Sequence, residues 1–158
     1  MSDLVRVAVD AMGGDYAPVE PVKGAVEAVN ADERVKVQLV GQVDVIEKEL
    51  QKYTYPKERV EIVPATEIIE TGEPPVNAIR TKKDSSIVVG MNMVRRGEAD
   101  AFCSAGSSGA ILVGGQVIVG RIKGVERPPL APLIPTEKGV SLLIDCEVGG
   151  QSGLRKDK

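Results

Sequence analysis

The sequence predicts an α/β fold built on a mainly parallel sheet. Short apolar segments rich in β-branched residues alternate along the chain with segments whose apolar residues recur every three or four positions, the period of an amphipathic helix. Two of the apolar segments, which end at Asp10 and Ser104, run directly into turns that contain glycine, as strands do in βα units. Right-handed crossovers between the parallel strands are expected.

The first part of the chain predicts three strands and two helices in alternation. Residues 4–10 form an apolar, β-branched strand, and residues 18–29 place valines three and four positions apart, which predicts a helix. Residues 35–40 predict the second strand and residues 43–50 the second helix, with charged residues on its other face. A third strand is expected over residues 60–63.

The second part begins with a polar, basic stretch over residues 80–86 that is interpreted as a loop. A helix over residues 87–96 is expected to end at Gly97, because glycine is common just after a helix C-terminus. Residues 101–104 predict a strand, and a helix of small residues follows to about residue 119. The last predicted element is an apolar strand over residues 140–144, which runs into Asp145.

Composition excludes several classes of function. Lys and Arg number 20 against 23 Asp and Glu, so the net charge of −3 provides no field to attract a nucleic acid. Phe102 is the only phenylalanine and tryptophan is absent, which removes the stacking platforms of single-strand binders. Without histidine, the chain can form neither a Ser-His-Asp triad nor an H-E-x-x-H zinc site. The glycine signatures of dinucleotide-binding proteins and P-loop kinases are also absent.

The cysteines and the N-terminus indicate a protein of the reducing cytoplasm. Cys103 and Cys146 are far apart and form no C-x-x-C pair, so no zinc site, redox site or cofactor is expected. Cys103 ends a predicted strand and is expected to be buried and inert. Asp3 and Arg6 interrupt the N-terminus where a signal peptide would be apolar. The longest apolar stretch, residues 110–120, is too short to cross a bilayer.

Two strand ends carry residues suited to a binding site. Because parallel strands end at one edge of the sheet, residues 10–15 and 104–109 are expected to converge there. The second loop combines glycines, hydroxyls and the first N–H groups of a helix, which together could cradle a phosphate or a carboxylate. The alternative is that Ser107 or Ser108 caps the helix while the glycines allow it to pack on the sheet.

Other polar residues remain open to two interpretations. Lys82 and Lys83 could bind an anionic substrate, although charged loops are more often only solvated, and Arg127 is equally ambiguous. Asp10 and Asp15 could orient a ligand or a metal, but carboxylates are also ordinary in turns, and metal binding is the less favoured alternative. No catalytic residue is assigned. The candidate substrate-binding residues are Asp10, Gly13, Gly14, Asp15, Lys82, Lys83, Ser85, Ser86, Ser104, Gly106, Ser107, Ser108, Gly109 and Arg127.

Six short motifs occur in the order and spacing of one protein family. They are Asp10-Ala11-Met12-Gly13-Gly14-Asp15, Glu73-Pro74-Pro75-Val76, Lys82-Lys83-Asp84-Ser85-Ser86, Ser104-Ala105-Gly106, Gly109-Ala110 and Arg127-Pro128. Over about residues 4–145 the chain resembles the PlsX family of bacterial acyl-acyl-carrier-protein:phosphate acyltransferases. The resemblance implies a three-layer α/β/α fold akin to isocitrate dehydrogenase and phosphate acetyltransferase, a homodimer, and peripheral association with the inner face of the membrane.

The resemblance also implies a reaction, in which a fatty acyl group moves from acyl carrier protein to inorganic phosphate and gives acyl phosphate for phospholipid synthesis. No histidine base is required, because phosphate is itself the nucleophile and a thioester is a good acyl donor. Positioning and charge neutralisation can supply most of the catalysis. The hypothesis is that backbone N–H groups near Ser107 and Ser108 hold phosphate, that Lys82 or Lys83 offsets its charge, and that residues 10–15 shape the same edge.

The chain departs from the family pattern at two places. The family loop usually reads Ser-Ala-Gly-Asn-Thr-Gly, whereas this chain has Ser107-Ser108 in place of Asn-Thr. After Asp145 the family continues through a further half, so residues 1–145 are interpreted as the N-terminal part of the enzyme and residues 146–158 as a divergent polar tail. Such a half would expose apolar strand edges and depend on a partner or aggregate. Two hypotheses remain: an active acyltransferase, or a non-catalytic remnant that binds an anion or carrier protein.

Overall fold

The computed structural model describes residues 4–125 and 130–144, and the chain divides after Gly120 into two units. In the first unit, short strands and helices alternate as the periodicity predicts. Its elements are β1 (Val5–Asp10), α1 (Val19–Ala31), β2 (Val35–Gly41), α2 (Val43–Leu50), a 3₁₀ turn (Lys57–Arg59), β3 (Val60–Pro64), α3 (Pro75–Thr81), α4 (Ser86–Arg96), β4 (Ala101–Cys103), and α5 (Ser108–Gly114), followed by a π-helical turn (Gly115–Val119).

The strands of this unit form a parallel sheet in the order β3-β2-β1-β4. β1 is paired with β2 along its whole length, from Val5 opposite Val35 onwards. On its other side β1 is paired with β4, and Val9 lies opposite Cys103 at the end of that ladder. All four strands point the same way, so Asp10 and the residue after Cys103 emerge at one edge of the sheet. The predicted α/β fold with a parallel sheet is confirmed.

Helices lie on both faces of the sheet because the strands are apolar on both sides. Val22, Val26 and Val29 of α1 are buried against Val37 and Leu39 of β2, and Ile46 and Leu50 of α2 belong to the same cluster. On the opposite face, Ala8 and Val40 pack with Met93 of α4. Residues of a strand alternate between the two faces, so these clusters form separate layers above and below the sheet.

The segment between β3 and β4 contains one more helix than the sequence predicts. α3 begins at Pro75, which is favourable at the first helical position because its missing N–H would have no partner there. Only residues 82–85 remain as a loop, so the loop predicted over residues 80–86 is too long at both ends. α4 ends at Gly97, whose φ of 71° lies in the left-handed region, and the prediction of that helix end is confirmed.

The second unit contains an antiparallel hairpin of β5 (Leu133–Thr136) and β6 (Gly139–Leu142). The strand predicted over residues 140–144 is therefore one arm of a hairpin and not a member of the parallel sheet. Its partner lies only a few residues earlier in the chain, so pairing needs no crossover. Asp145 and the tail at 146–158 lie outside the described residues. Across the described ranges no helix combines the length and hydropathy needed to cross a bilayer.

Candidate functional site

The loops after β1 and β4 are joined by hydrogen bonds at the carboxyl edge of the sheet. The Ser104 hydroxyl donates to Asp10 Oδ2 at 2.7 Å and accepts the Gly106 N–H at 3.0 Å. The other carboxylate oxygen, Asp10 Oδ1, accepts the Met12 N–H at 3.0 Å. Asp10 is only 1% exposed, so the hydrogen bonds to its carboxylate come from these protein groups. The predicted convergence of the two loops is confirmed, and we call this contact the loop junction.

Glycines make the close approach of the two loops possible. A Cβ on Gly13 would lie 2.3 Å from Asp10 Oδ2 and 2.9 Å from the Gly106 nitrogen, both far inside van der Waals contact. Gly14 has a φ of +101°, and a Cβ there would also stand 3.1 Å from Ala105 Cβ. The Gly-Gly pair therefore meets a steric requirement at the loop junction, in addition to allowing a tight turn.

The two serines that follow the loop junction have different environments. Ser107 is buried and caps α5, because its hydroxyl accepts the Ala110 N–H at 3.3 Å. Gly109 packs against α3, where a Cβ would come within 2.7 Å of Pro75 Cγ. Ser108 is exposed, and the N–H groups of Ser108 and Gly109 have no acceptor within the helix. The capping alternative is thus correct for Ser107, while the Ser108 side chain is exposed next to the loop junction.

The two candidate lysines are engaged elsewhere in the structure. Lys82 Nζ donates to the Ile68 carbonyl at 2.6 Å and pairs with the Glu73 carboxylate. This side-chain hydrogen bond lowers the pKa of Glu73 below its ordinary value. Lys83 Nζ donates to the Ile79 carbonyl at 3.0 Å. Both ammonium groups hold together the segment around α3, and the contacts of the described residues connect neither to the loop junction.

Ser85 and Ser86 are buried at the start of α4. The Ser85 hydroxyl donates to the Lys82 carbonyl at 2.9 Å and accepts an N–H of the first turn, so it is the N-cap of α4. The Ser86 N–H donates to the Glu67 carbonyl at 3.3 Å. With exposures of 0% and 2%, both side chains are buried. Arg127 lies outside the described residues.

An apolar cavity of about 570 Å³ opens next to the loop junction on the face of the sheet that carries α1. Cys103 lines this cavity and is exposed, so the prediction of a buried thiol is wrong. β4 is the outermost strand of the sheet in the described chain, and no described helix covers it on this side. One signal of this cavity in the sequence was missed, the small residues of α1. The aliphatic and small lining residues include Val7, Val9, Val35, Gly24, Ala25 and Ala28.

The described residues around the loop junction form no metal-binding cluster. Asp15 and Glu20 line the cavity, but within residues 4–125 and 130–144 no group of three or more acidic or cysteine side chains is arranged to hold a metal ion. The Asp10 carboxylate already accepts two protein donors. The chemistry offered to a ligand is therefore that of hydroxyl and backbone N–H donors beside an apolar cavity.

The fold and the loop junction define a class: an α/β protein whose candidate site lies where parallel strands end, the usual place for small-molecule sites in such sheets. A family model described as "Fatty acid synthesis protein" matches residues 5–150, and the chain belongs to that family, the PlsX family. The resemblance inferred from the motifs is confirmed.

Curated relatives agree with this assignment. The chain is 52% identical over 143 residues to a phosphate acyltransferase of Alkaliphilus oremlandii, a match that covers 90% of this chain and 42% of that protein. It is 48% identical over 141 residues to a phosphate acyltransferase of Clostridium beijerinckii, again over 42% of the relative. This chain therefore spans well under half the length of these relatives.

Solved structures show the same fold at low sequence identity. A phosphotransacetylase from Streptococcus pyogenes superposes with a TM-score of 0.62 at 14% identity, over 92% of this chain and 47% of that one. The EutD phosphotransacetylase from Staphylococcus aureus gives a TM-score of 0.56 at 18% identity. Both are similar in fold to this chain across nearly all of its length.

Proposed function

We propose that this chain is the N-terminal part of a phosphate acyltransferase that transfers a fatty acyl group from acyl carrier protein to inorganic phosphate. A phosphate oxygen forms the new bond to the acyl carbonyl carbon, the carbon–sulfur bond breaks, and the carrier thiol leaves with the proton. The observation that carries the proposal is the loop junction, formed from two family motifs that are distant in sequence. The names of the relatives support the reaction class.

The loop junction suits phosphate through its hydrogen-bond donors. The exposed Ser108 hydroxyl and the N–H groups of Ser108 and Gly109 lie together after β4, while Ser104 and Asp10 hold the loop in place. Donors fixed before the substrate arrives stabilise developing negative charge at little reorganisation cost. A thioester donor needs no histidine base, which agrees with a chain that contains none.

Charge neutralisation is the role proposed for Lys82 or Lys83, whose ammonium groups bind protein acceptors in this structure. Arg127 and groups in the part of the relatives' length that this chain does not span are the alternatives for this role. The proposal also includes a cytoplasmic location, peripheral contact with the membrane, a homodimer, and a place in phospholipid synthesis. No cofactor is required by the reaction.

The second candidate function is a non-catalytic remnant that retains anion or carrier-protein binding. One observation favours it: among the described residues, an apolar cavity leaves one face of the sheet open beside Cys103. A remnant would keep the loop junction but lack groups that the rest of the family supplies.

Acyl phosphate formation by the full 158-residue chain distinguishes the two functions. Purified chain receives acyl-acyl carrier protein and inorganic phosphate, and the product is trapped with hydroxylamine. Turnover that requires phosphate establishes the acyltransferase, whereas a folded chain without turnover establishes the remnant and refutes activity in this chain. Ser108→Ala should raise the phosphate concentration needed for half-maximal turnover several-fold. The matched control is Ser141→Ala, because Ser141 is an exposed serine of β6.

A further inference from the structure

We propose that Pro75 is a positioning residue for the loop between β4 and α5, and that the ion pair between Glu73 and Lys82 holds Pro75 in place. Residues 73–76 form one of the six sequence motifs and lie outside the loop junction. The inference rests on the proposed function, because the loop that Pro75 contacts carries the Ser108 hydroxyl proposed to bind phosphate.

The contact between Pro75 and Gly109 carries the first step. Gly109 directly follows Ser108, and a Cβ built on Gly109 would lie 2.7 Å from Pro75 Cγ and 3.4 Å from Pro75 Cβ. The proline ring therefore lies against the backbone of the loop, where only glycine fits. A proline side chain loses almost no conformational entropy when it is held in place, so the ring is a rigid surface for Gly109.

The loop between β4 and α5 is held on two sides. At its start, the Ser104 hydroxyl donates to Asp10 Oδ2 at 2.7 Å. At its end, Gly109 contacts Pro75. Ser108 lies next to this second contact and is exposed. Donors that are fixed before an anion arrives stabilise it at little reorganisation cost, so a contact that fixes Gly109 also favours binding by Ser108.

The ion pair connects the two ends of α3. Lys82, which directly follows the helix, pairs through Nζ with the Glu73 carboxylate and donates to the Ile68 carbonyl at 2.6 Å. Glu73 Oε1 also accepts the Glu70 N–H at 2.8 Å. Glu73 lies two residues before Pro75, so these bonds fix the segment that leads into the helix and thereby the position of the proline ring.

The buried face of α3 transmits this position to α5. Ala78 and Ile79 are each 1% exposed and share one apolar cluster with Met91 of α4 and Ala110 of α5. Protein interiors are close-packed, so α3 cannot shift without displacing these neighbours. The position of Pro75 is therefore coupled to the first turn of α5 by the helix core as well as by its own ring.

A complementary pair of substitutions in the full 158-residue chain tests the contact. The amides of Ala110 and Ile111 donate to Ser107, and their protection from hydrogen exchange reports the first turn of α5. Gly109→Ala adds a methyl group that overlaps Pro75 Cγ and should reduce this protection at least fivefold. Pro75→Ala should reduce it at least threefold. The double variant should stay within twofold of Pro75→Ala, because the added methyl group then has room, and residues in contact give non-additive effects.

Calorimetric titration of the folded variants with inorganic phosphate gives a readout that a purely structural contact would leave unchanged. Gly109→Ala should weaken phosphate binding at least fivefold, and the double variant should again stay within twofold of Pro75→Ala. The matched controls are Pro74→Ala, at an exposed proline next to Pro75, and Gly115→Ala, where nothing lies within 4 Å of an added Cβ. Both controls should bind phosphate within twofold of the parent chain.

Two further substitutions test the ion pair. Glu73→Gln and Lys82→Met should each weaken phosphate binding at least threefold, and the double variant should be no weaker than either single variant, because both changes release Pro75. Lys82 then contributes through Glu73, which leaves Lys83, of the two lysines proposed, to offset the charge of phosphate. Weaker binding by Lys82→Met alone would show that Lys82 contacts the anion directly and would overturn the role of the ion pair.

Two other outcomes would overturn the role of Pro75. Additive losses of amide protection for Gly109→Ala and Pro75→Ala would show that the two residues do not act on each other. Equal losses for Pro75→Ala and Pro74→Ala would assign the effect to chain stiffness and not to the ring contact. A parent chain that binds no phosphate would refute the anion site of the proposed function, while the amide protection would still decide the role of Pro75. The two proposals therefore fail separately.

Discussion

Removing the Ser104 hydroxyl should weaken the contact between the two loops and lower the free energy of unfolding measurably. Ser104→Ala deletes a 2.7 Å hydrogen bond to the buried Asp10 carboxylate and takes away the acceptor of the Gly106 N–H. Hydrogen bonds to charged groups contribute about 1.5–3 kcal/mol, and a buried donor left without a partner costs about 1–3 kcal/mol. Water can reach Gly106 because it is only half-buried, so the first contribution dominates and we expect a loss of about 2–3 kcal/mol.

The assay is equilibrium unfolding in urea, followed by circular dichroism at a helical wavelength. Ser104→Ala should lower the free energy of unfolding without changing the slope, because the same surface is exposed. The control Ser141→Ala alters an exposed serine in the second unit and should change stability by less than about 0.5 kcal/mol. An equally small loss for Ser104→Ala would refute the reasoning, since it would mean that the Asp10 carboxylate does not depend on Ser104.

Three further predictions concern packing, pH and ligand binding. Gly13→Ala should destabilise by about 1–3 kcal/mol because its Cβ would lie 2.3 Å from a carboxylate oxygen, whereas Gly24→Ala in open space on α1 should stabilise by about 0.5–1 kcal/mol in the same urea assay. The hydrogen bonds from Arg6 lower the pKa of Asp100 from its ordinary value. The stability that this pair contributes is present above the ordinary pKa of an aspartate and is lost as pH falls through the lowered pKa. Asp100→Asn should therefore reduce the pH dependence of the urea midpoint in the acid range. Ser108→Ala should weaken protection of the chain by phosphate in a thermal shift assay, and an unchanged shift would remove Ser108 from the anion site.

The helices and strands were predictable because their signals are local. The valine spacing of α1, the apolar run of β2 and the glycine after α4 each depend on a few neighbouring residues. α3 was missed because the double proline before it suggests a break, yet Pro75 occupies the one helical position that favours proline. The β5–β6 hairpin was misassigned because an apolar strand looks the same whether its partner is parallel or antiparallel.

The candidate site was predictable only at the level of the loops. Strand direction alone brings residues 10–15 and 104–109 to one edge of the sheet, so their convergence could be predicted from the sequence. Which polar groups remain available there depends on partners far along the chain. Lys82 appeared free in sequence but pairs with Glu73, and Ser85 proved to be a buried helix cap. The substrate-binding roles assigned to all the candidate residues stay predictions.

The sequence by itself determined the fold class, the family and the position of the two glycine loops, because these follow from short-range periodicity and from motifs read in order. Only the tertiary structure decided that Asp10 faces inward to Ser104, that Cys103 is exposed, and that Val5 of β1 is exposed among the described residues. The reason is physical: burial and hydrogen-bond partners are properties of surfaces brought together by the fold. In a linear sequence nothing distinguishes a valine beneath a helix from one that faces an open groove.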